Sequence, residues 1–436
     1  MITRLDSGSP QFLLALQSLG EFPEGDQAQV RASVASILEE VRIRGDEALI
    51  ELTNRFDGQH VSDMAALQIG QDQLQEAYES IDDLVRDALI ESAGRVREYH
   101  EHQKAAISSG DGWSYTDSLG NLLGQSVQPM SRIGIYAPGG KASYPSTVIM
   151  TAIPAQVAGV NEIILCVPTP GGELNPTLLA AAHLCGIDQV FALGGAQAIA
   201  AMAFGTETVP KVDKIVGPGN IYVATAKEMV FGKVGIDMIA GPSEVVIVAD
   251  DTADPNWVIQ DMFAQAEHDE MAQAIVISPS EKLLGVIAEQ LPIKLAQQQR
   301  RDIISEAISS RGALIKVKDL NEAFEIVNKL APEHLQLAIE APETWLPNVK
   351  HAGAVFLGVD TAEVVGDYTA GPSHVLPTSG TARFASPLGV YDFQTRTSII
   401  QCSREGAINL SRAAAILATE EGLHAHAESA LSRVKG

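Results

Sequence analysis

Cysteine is scarce in this chain: three residues in 436, at Cys166, Cys185 and Cys402. They form no C-x-x-C pair and no zinc-finger spacing, which excludes a thiolate metal cluster or a dithiol redox motif. Each reads as a small buried hydrophobe. Long apolar runs are absent too. A stretch such as FALGGAQAIAAMAFG falls short of the roughly 18 residues that a membrane span requires. The start, MITRLDSGSPQFLLALQSLG, has a short, interrupted apolar segment and no small-residue cleavage pattern after it, so it does not read as a signal peptide. Basic residues are few, 30 Lys and Arg against 55 Asp and Glu, for a net charge of -25. With no Lys/Arg run to offset it, that charge repels a phosphate backbone and excludes nucleic acid as a partner. The three-glycine dinucleotide fingerprint is missing, and no tandem repeat or low-complexity segment occurs. These absences point to a soluble, cytoplasmic protein without a membrane partner.

What is present is globular. Hydrophobic residues make up 46% and charged residues 19%, and the length suits two or three domains. The first part carries two helix-period stretches, QVRASVASILEEVRIRGDEALIELTNRFDG, closed by Gly58, and QLQEAYESIDDLVRDALIESAGRVREYHEHQ. WSYTDSLGNLLGQSVQPM reads as a hairpin. From Arg132 short apolar runs alternate with Gly/Pro turns and helical stretches: RIGIYAPGG, EIILCVPTPGG, QVFALGGAQ and DKIVGPGN, then EVVIVADD, AIVISPS and ALIKVKD. Strand starts recur at the roughly 25- to 30-residue period of βα units. The fold class expected is α/β, with two doubly wound, incomplete Rossmann-like domains and ligands beyond the C-terminal ends of the strands. A helical N-terminal segment (1–29) and a C-terminal helical arm (390–436) flank them. The expected partition is a discontinuous catalytic domain (30–134 and 243–389) and a nucleotide-binding domain (135–242).

Polar knots recur in four separated segments. The run NWVIQDMFAQAEH reads as helix, and on it Gln265 and His268 are three apart, so they share a face and could reach one point as two ligands of one metal. APEHLQL places Glu333 beside His334 after Pro332, which suits the first turn of a helix. An adjacent carboxylate and imidazole can divide acid–base work, although a solvated helix start would look the same. EVVGDYTAGPSHVLPTSGTAR puts Asp367 and His374 in a Gly-rich loop. EEGLHAHAES puts Glu421 and His426 in the tail. With Gln265, His268 and Asp367, His426 would complete a four-ligand N/O site, which zinc accepts; spacing alone does not assemble it. The loops PGG (138–140), LGGAQ (193–197) and GPGN (217–220) lie between strand and helix. They either make tight turns or let backbone N–H groups approach a phosphate. Tyr136, Gln197 and Asn220 stand at strand ends within reach of a nucleotide.

The segments GPGNIYVATAK, DMIAGPSEVVIVAD, AQAEHD, APEHLQL, GDYTAGPSHVLPTSGTAR and EEGLHAH together resemble the histidinol dehydrogenase family, in its order and spacing, over roughly Arg132 to His426. The resemblance implies zinc-dependent, NAD-linked oxidation of L-histidinol to L-histidine through histidinal, the last step of histidine biosynthesis. It implies Gln265, His268, Asp367 and His426 as zinc ligands and Glu333 and His334 as the acid–base pair. Ser243, Gln265, His268, His334, Asp367, Glu421 and His426 would meet substrate, and Tyr136, Gln197 and Asn220 would meet NAD. It also implies a homodimer whose C-terminal arm is exchanged, which would carry Glu421 and His426 into the partner's site. Two other readings compete: a relative oxidising a different polar alcohol, such as a sulfonated propanediol, and a non-catalytic nucleotide- or metal-binding protein. The Glu333–His334 pair argues against the last, because a binding module needs no base.

Overall fold

The computed structural model describes residues 2–20, 27–107, 112–139 and 144–435. The chain opens with β1 (Thr3–Asp6) and α1 (Phe12–Gly20). It continues through α2 (Gln27–Arg44), α3 (Asp46–Phe56), the short β2 (Gln68–Ile69), α4 (Gln71–Ser80) and α5 (Asp83–Ile107). The expected hairpin is present as β3 (Gly112–Thr116) and β4 (Leu122–Pro129). The first βα series is β5 (Arg132–Tyr136), α6 (Pro145–Ala158), β6 (Glu162–Cys166), α7 (Pro176–Leu184), β7 (Gln189–Phe191), α8 (Gly195–Phe204), β8 (Lys214–Val216), α9 (Ile221–Val230) and β9 (Gly235–Ile236). The second is β10 (Glu244–Ala249), α10 (Pro255–Ala266), β11 (Gln273–Ser278), α11 (Glu281–Leu295), α12 (Arg301–Arg311), β12 (Ala313–Lys316), α13 (Leu320–Leu330), β13 (His334–Ala338), β14 (Ala354–Leu357) and α14 (Val364–Tyr368). The tail is β15 (Gln394–Gln401), α15 (Arg404–Glu420) and α16 (His424–Lys435).

Both series wind into six-stranded sheets of one plan. The first has the order β2-β7-β6-β5-β8-β9 and the second β1-β12-β11-β10-β13-β14. In each, the first strand of the series lies inside the sheet, the next two step one way and the last two the other. An early strand closes one edge. All pairs are parallel except β2 with β7. Apolar runs buried on both faces make this possible. In β10, Val245, Ile247 and Ala249 enter one core with α10, α11 and α12, while Val246 and Val248 enter another with α1 and α13. A strand so covered needs no polar face.

The cores divide the chain differently from the expected partition. Helices α2 to α5 share a core with the first sheet, through residues such as Val34, Leu49, Leu74 and Val96. Residues of 30–134 thus share their main core with 135–242, while α5 also reaches 243–389, where Ser92 and Arg95 donate to the Tyr368 and Thr369 carbonyls. The N-terminal residues pair with the second body, because β1 extends its sheet. The tail is not helical from its start either: β15 runs antiparallel to β4 and adds a third strand to the hairpin. Cys166 and Cys185 are buried as expected, but Cys402 is exposed, since it follows an edge strand. Among the described residues no helix is long and apolar enough to cross a membrane.

Candidate active site

Acid and imidazole groups gather at the N-terminal edge of the second sheet. Strands β10 and β13 lie side by side with Val245 opposite His334, so Glu244 and Glu333 are neighbours just before the ladder. Glu333 and His334 therefore open a strand, where the sequence suggested the first turn of a helix. Leu335 and Leu337 fill one core of the sheet, and pairing on both sides outweighs the local preference set by Pro332. Both side chains are buried. The Glu244 N–H donates to Glu333 Oε2 at 3.0 Å, and Ser243 hydrogen-bonds the same carboxylate. His334 Nδ1 lies 3.2 Å from the Glu244 carbonyl. A carbonyl only accepts, so Nδ1 carries the proton and Nε2 keeps its lone pair. Nε2 faces Asp367 Oδ1 at 4.0 Å. Burial pushes the His334 imidazolium down to about 3 and the Glu333 carboxyl well above the usual carboxylate range. A neutral imidazole with a free, aimed lone pair is a base ready to accept a proton.

His268 approaches the same place from just beyond α10, and Gln265 lies in the last turn of that helix. The helix stops at Ala266, two residues earlier than the pattern suggested, and the His268 N–H closes back on the Gln265 carbonyl at 3.3 Å. Asp367, expected in a loop, sits on the single-turn α14. Its backbone oxygen accepts from His374 Nδ1 at 2.9 Å. Burial lowers His268, lowers His374 to about 4 and raises Asp367 to about 6. The charges of His268 and His374 both act on His334, so the three rings belong to one cluster.

Whether these residues suit a metal ion turns on Gln265. Its side chain is fully buried, and neither its oxygen nor its nitrogen has a partner among the described residues. A buried amide left this way costs about 1–3 kcal/mol, and a cation on its oxygen would offset that. His268 is held neutral, as ligation demands, and Asp367 supplies a carboxylate. The donor chemistry of Gln265, His268 and Asp367 thus suits a divalent cation. Among the described residues, no three His, Cys, Asp or Glu side chains converge to hold a metal within one chain. The fourth expected ligand, His426, lies exposed on α16, and Glu421 lies exposed at the end of α15. Both stand on an arm whose own small core is Ala415, Ala418 and Ala427.

The first sheet presents its C-terminal edge. Tyr136 ends β5 and is buried, and its phenolic oxygen accepts from the Gly195 N–H at the start of α8 at 3.1 Å. Gln197, one turn into α8, is buried with an unpartnered Nε2. Asn220 caps α9, its side-chain oxygen accepting from the N–H groups of Tyr222 and Val223. The GPGN loop crosses tightly over β5. Gly217 has φ 107°, and a Cβ there would sit 2.1 Å from the Tyr136 carbonyl oxygen. Only glycine fits such a crossing. Asp237 and Lys227, a buried ion pair, clamp the backbone of Gly217 from both sides. Of PGG, Gly140 lies outside the described residues.

The two edges face each other. Ser373 donates to the Met150 carbonyl in α6 at 3.0 Å, and Thr147 Oγ1 is 3.4 Å from His374 Nε2. Two residues of the cluster were not singled out from the sequence, and a third was given no role. Glu244 supplies both backbone groups that hold the acid–base pair. Glu363, buried, brings Oε1 to 3.5 Å from His334 Nδ1. His374 was noticed only as a member of its loop. The signal for Glu363 was its position four before Asp367, one helical turn, in a segment that did not read as helix.

Two doubly wound bodies that enclose a neutral imidazole base, buried carboxyls and a glycine-tight crevice define an α/β protein equipped for acid–base chemistry, of the enzyme class. Comparison with known proteins gives the family. The profile of histidinol dehydrogenase matches residues 21–434. The histidinol dehydrogenase of Pseudomonas savastanoi pv. phaseolicola is 54% identical over 433 residues, covering 99% of this chain and 96% of that one. That of Cupriavidus pinatubonensis is 54% identical, covering 100% and 97%. The crystal structure of histidinol dehydrogenase from Elizabethkingia anophelis superposes with a TM-score of 0.92 at 34% identity, covering 100% of this chain and 98% of that one. The chain belongs to the histidinol dehydrogenase family.

Proposed function

We propose that this enzyme oxidises L-histidinol to L-histidine through histidinal, a four-electron reaction that uses zinc and two molecules of NAD in turn, as the last step of histidine biosynthesis. The observation that carries the reading is the pair at the head of β13. His334 offers a free Nε2 while the Glu244 carbonyl fixes its other nitrogen, and Glu333 stands beside it in the same buried pocket. His334 takes the hydroxyl proton in the alcohol step. Glu333 takes a proton from water in the aldehyde step, its raised basicity matching the task. Gln265, His268 and Asp367 would hold zinc, with His426 from a partner's arm as fourth ligand. When bound, zinc orients the imidazole and amine of histidinol, and NAD accepts hydride. Ser243 and Glu421 would complete the substrate contacts. Tyr136, Gln197 and Asn220 would line the NAD crevice, where helix N-termini favour phosphate.

The arm supports a homodimer with exchanged tails. Ile416 is 66% and Leu417 64% exposed, and Leu410, Leu423 and Ile400 are also exposed. Such a surface is suited to cover by a second copy. The test is direct. Purified protein with histidinol should form two NADH per histidinol consumed, with chelation abolishing and zinc restoring the rate. His268→Ala should lose zinc by elemental analysis. No NADH from histidinol with zinc and NAD supplied would reject the reading, and full zinc occupancy in the variant would remove His268 from the ligand set.

A further inference from the structure

Lys227 and Asp237 have no part in the chemistry described so far, yet their side chains are only 3% and 1% exposed. Two charges so deep in the first body call for a reason. Lys227 stands on α9 seven residues, two helical turns, after the cap Asn220. A long helical side chain leans back toward the N-terminus, so its ammonium reaches the GPGN loop. There Nζ donates to the Gly217 carbonyl at 2.8 Å and to Asp237 Oδ1. Asp237 follows β9, fixed by its own N–H, which donates to the Ile215 carbonyl of β8 at 3.2 Å. Its Oδ2 accepts from the Gly217 N–H at 2.7 Å, and its Oδ1 also accepts from the Met238 N–H at 2.6 Å. Both backbone groups of Gly217 are therefore taken up by the pair.

This arrangement bears on what the lysine does. A lysine beside a glycine loop often meets phosphate as a point charge. Here Asp237 neutralises it, and its burial closes it off from the crevice. What the loop offers instead is neutral. Pro218 has no N–H, and Asn220 holds those of Tyr222 and Val223. The donors that these contacts leave to a ligand are the N–H groups of Gly219, Asn220 and Ile221. Their position depends on Gly217, which sits at φ 107° in its tight crossing over β5. Glycine is the residue least able to hold a backbone in place by itself, so the hold must come from outside.

We propose that Lys227 and Asp237 are positioning residues for the cofactor: the pair fixes the backbone of Gly217, and through it Asn220 and the start of α9, and lends the cofactor no charge of its own. The inference rests on the reading of the GPGN loop as part of the NAD crevice. A site of well-placed neutral donors without a cation suits a cofactor that must leave and be replaced between two oxidations.

The decisive variant is Asp237→Asn. If Lys227 served as a charge for the cofactor, unmasking it would lower the KM for NAD. If the pair serves as a clamp, the new NH2 group faces one of two donors, the Gly217 N–H or the ammonium, and the loop loses its hold. The KM for NAD should then rise by roughly 10-fold or more, with kcat at saturating NAD and the KM for histidinol within about 2-fold of wild type. The dissociation constant of NAD from the zinc-loaded enzyme should rise in parallel, read by calorimetry with L-histidine filling the substrate site so that no turnover occurs. The double variant Lys227→Met/Asp237→Leu leaves neither charge unpaired. It should show the same split, and it carries the test if Asp237→Asn does not fold. A lowered or unchanged KM for NAD, or a loss of kcat at saturating NAD, overturns the clamp. A wild type that neither binds NAD nor makes NADH from histidinol fails the cofactor reading and the clamp with it, whereas one that uses NAD while the variants keep its KM fails the clamp alone.

Discussion

In the first body, helices α6, α8 and α9 turn their N-termini toward the seam, whereas in the second, α10, α12 and α13 end there. Both bodies wind their strands in one order, so strand order does not decide which edge is used. The edge decides the chemistry instead. A C-terminal sheet edge gathers helix N-termini and free N–H groups, which suit an anionic ligand. An N-terminal edge gathers helix C-termini and carbonyls, which suit a cation and a protonated imidazole nitrogen. The first body accordingly contributes glycine, Tyr136 and Asn220. The second contributes Glu333, His334, Asp367, Gln265 and His268. One fold thus presents two edges of opposite chemical character, placed face to face.

The sharpest way to break this division is at His334. His334→Asn should lower kcat for histidinol by about 10²-fold or more and leave the KM for NAD unchanged. Glu333→Gln should impair oxidation of supplied histidinal more than oxidation of histidinol. Small, equal effects of both variants on both steps would dissolve the assignment.

A smaller effect tests the burial itself. Desolvation holds the Glu244 carboxyl up at about 7, against 4.5 for a free one. A folded-state value above the unfolded one gives stability that is whole below about 4.5 and is lost as pH rises to about 7. Glu244→Gln has no such loss and keeps an acceptor for the Ser379 N–H. Its urea stability relative to the wild type should therefore rise between about pH 5 and pH 7.5, by an amount on the order of 1–3 kcal/mol. A difference that does not vary with pH would mean that the carboxyl is not desolvated.

The smallest effect belongs to the first body. Asn220→Ala removes a helix cap and should cost about 1 kcal/mol of stability. It should raise the KM for NAD while leaving kcat at saturating cofactor near the wild-type value. A lowered kcat at saturation would place Asn220 among the reacting groups and blur the division.

Much of this was readable along the chain and some was not, for physical reasons. The βα period gave both sheets, because it is local, and the motifs gave Glu333, His334 and Asp367. The edge at which the second site lies could not be read, since the rule for open sheets points to C-terminal ends. Glu333 and His334 looked like a helix start because Pro332 is a local signal, whereas the pairing of β13 with β10 and β14 is a contact between distant segments. Which sheet the helices α2 to α5 cover was not legible for the same reason: nothing local in them states it. Glu244 was invisible as a supporting group because it acts through its backbone, which every residue has.

The loop after Asp367 has a mechanical consequence. Val375, Leu388, Val390 and Phe393 follow the second series in the chain, yet they are buried in the first body's core. A segment that leaves one body and is packed inside the other acts as a stitch across the cleft. Wide opening about a hinge would have to pull four apolar side chains out of a close-packed interior, at about 1.5–3 kcal/mol each. Traffic through the cleft is thereby confined to small local motions of its rims, and the distance between the two edges is held nearly constant.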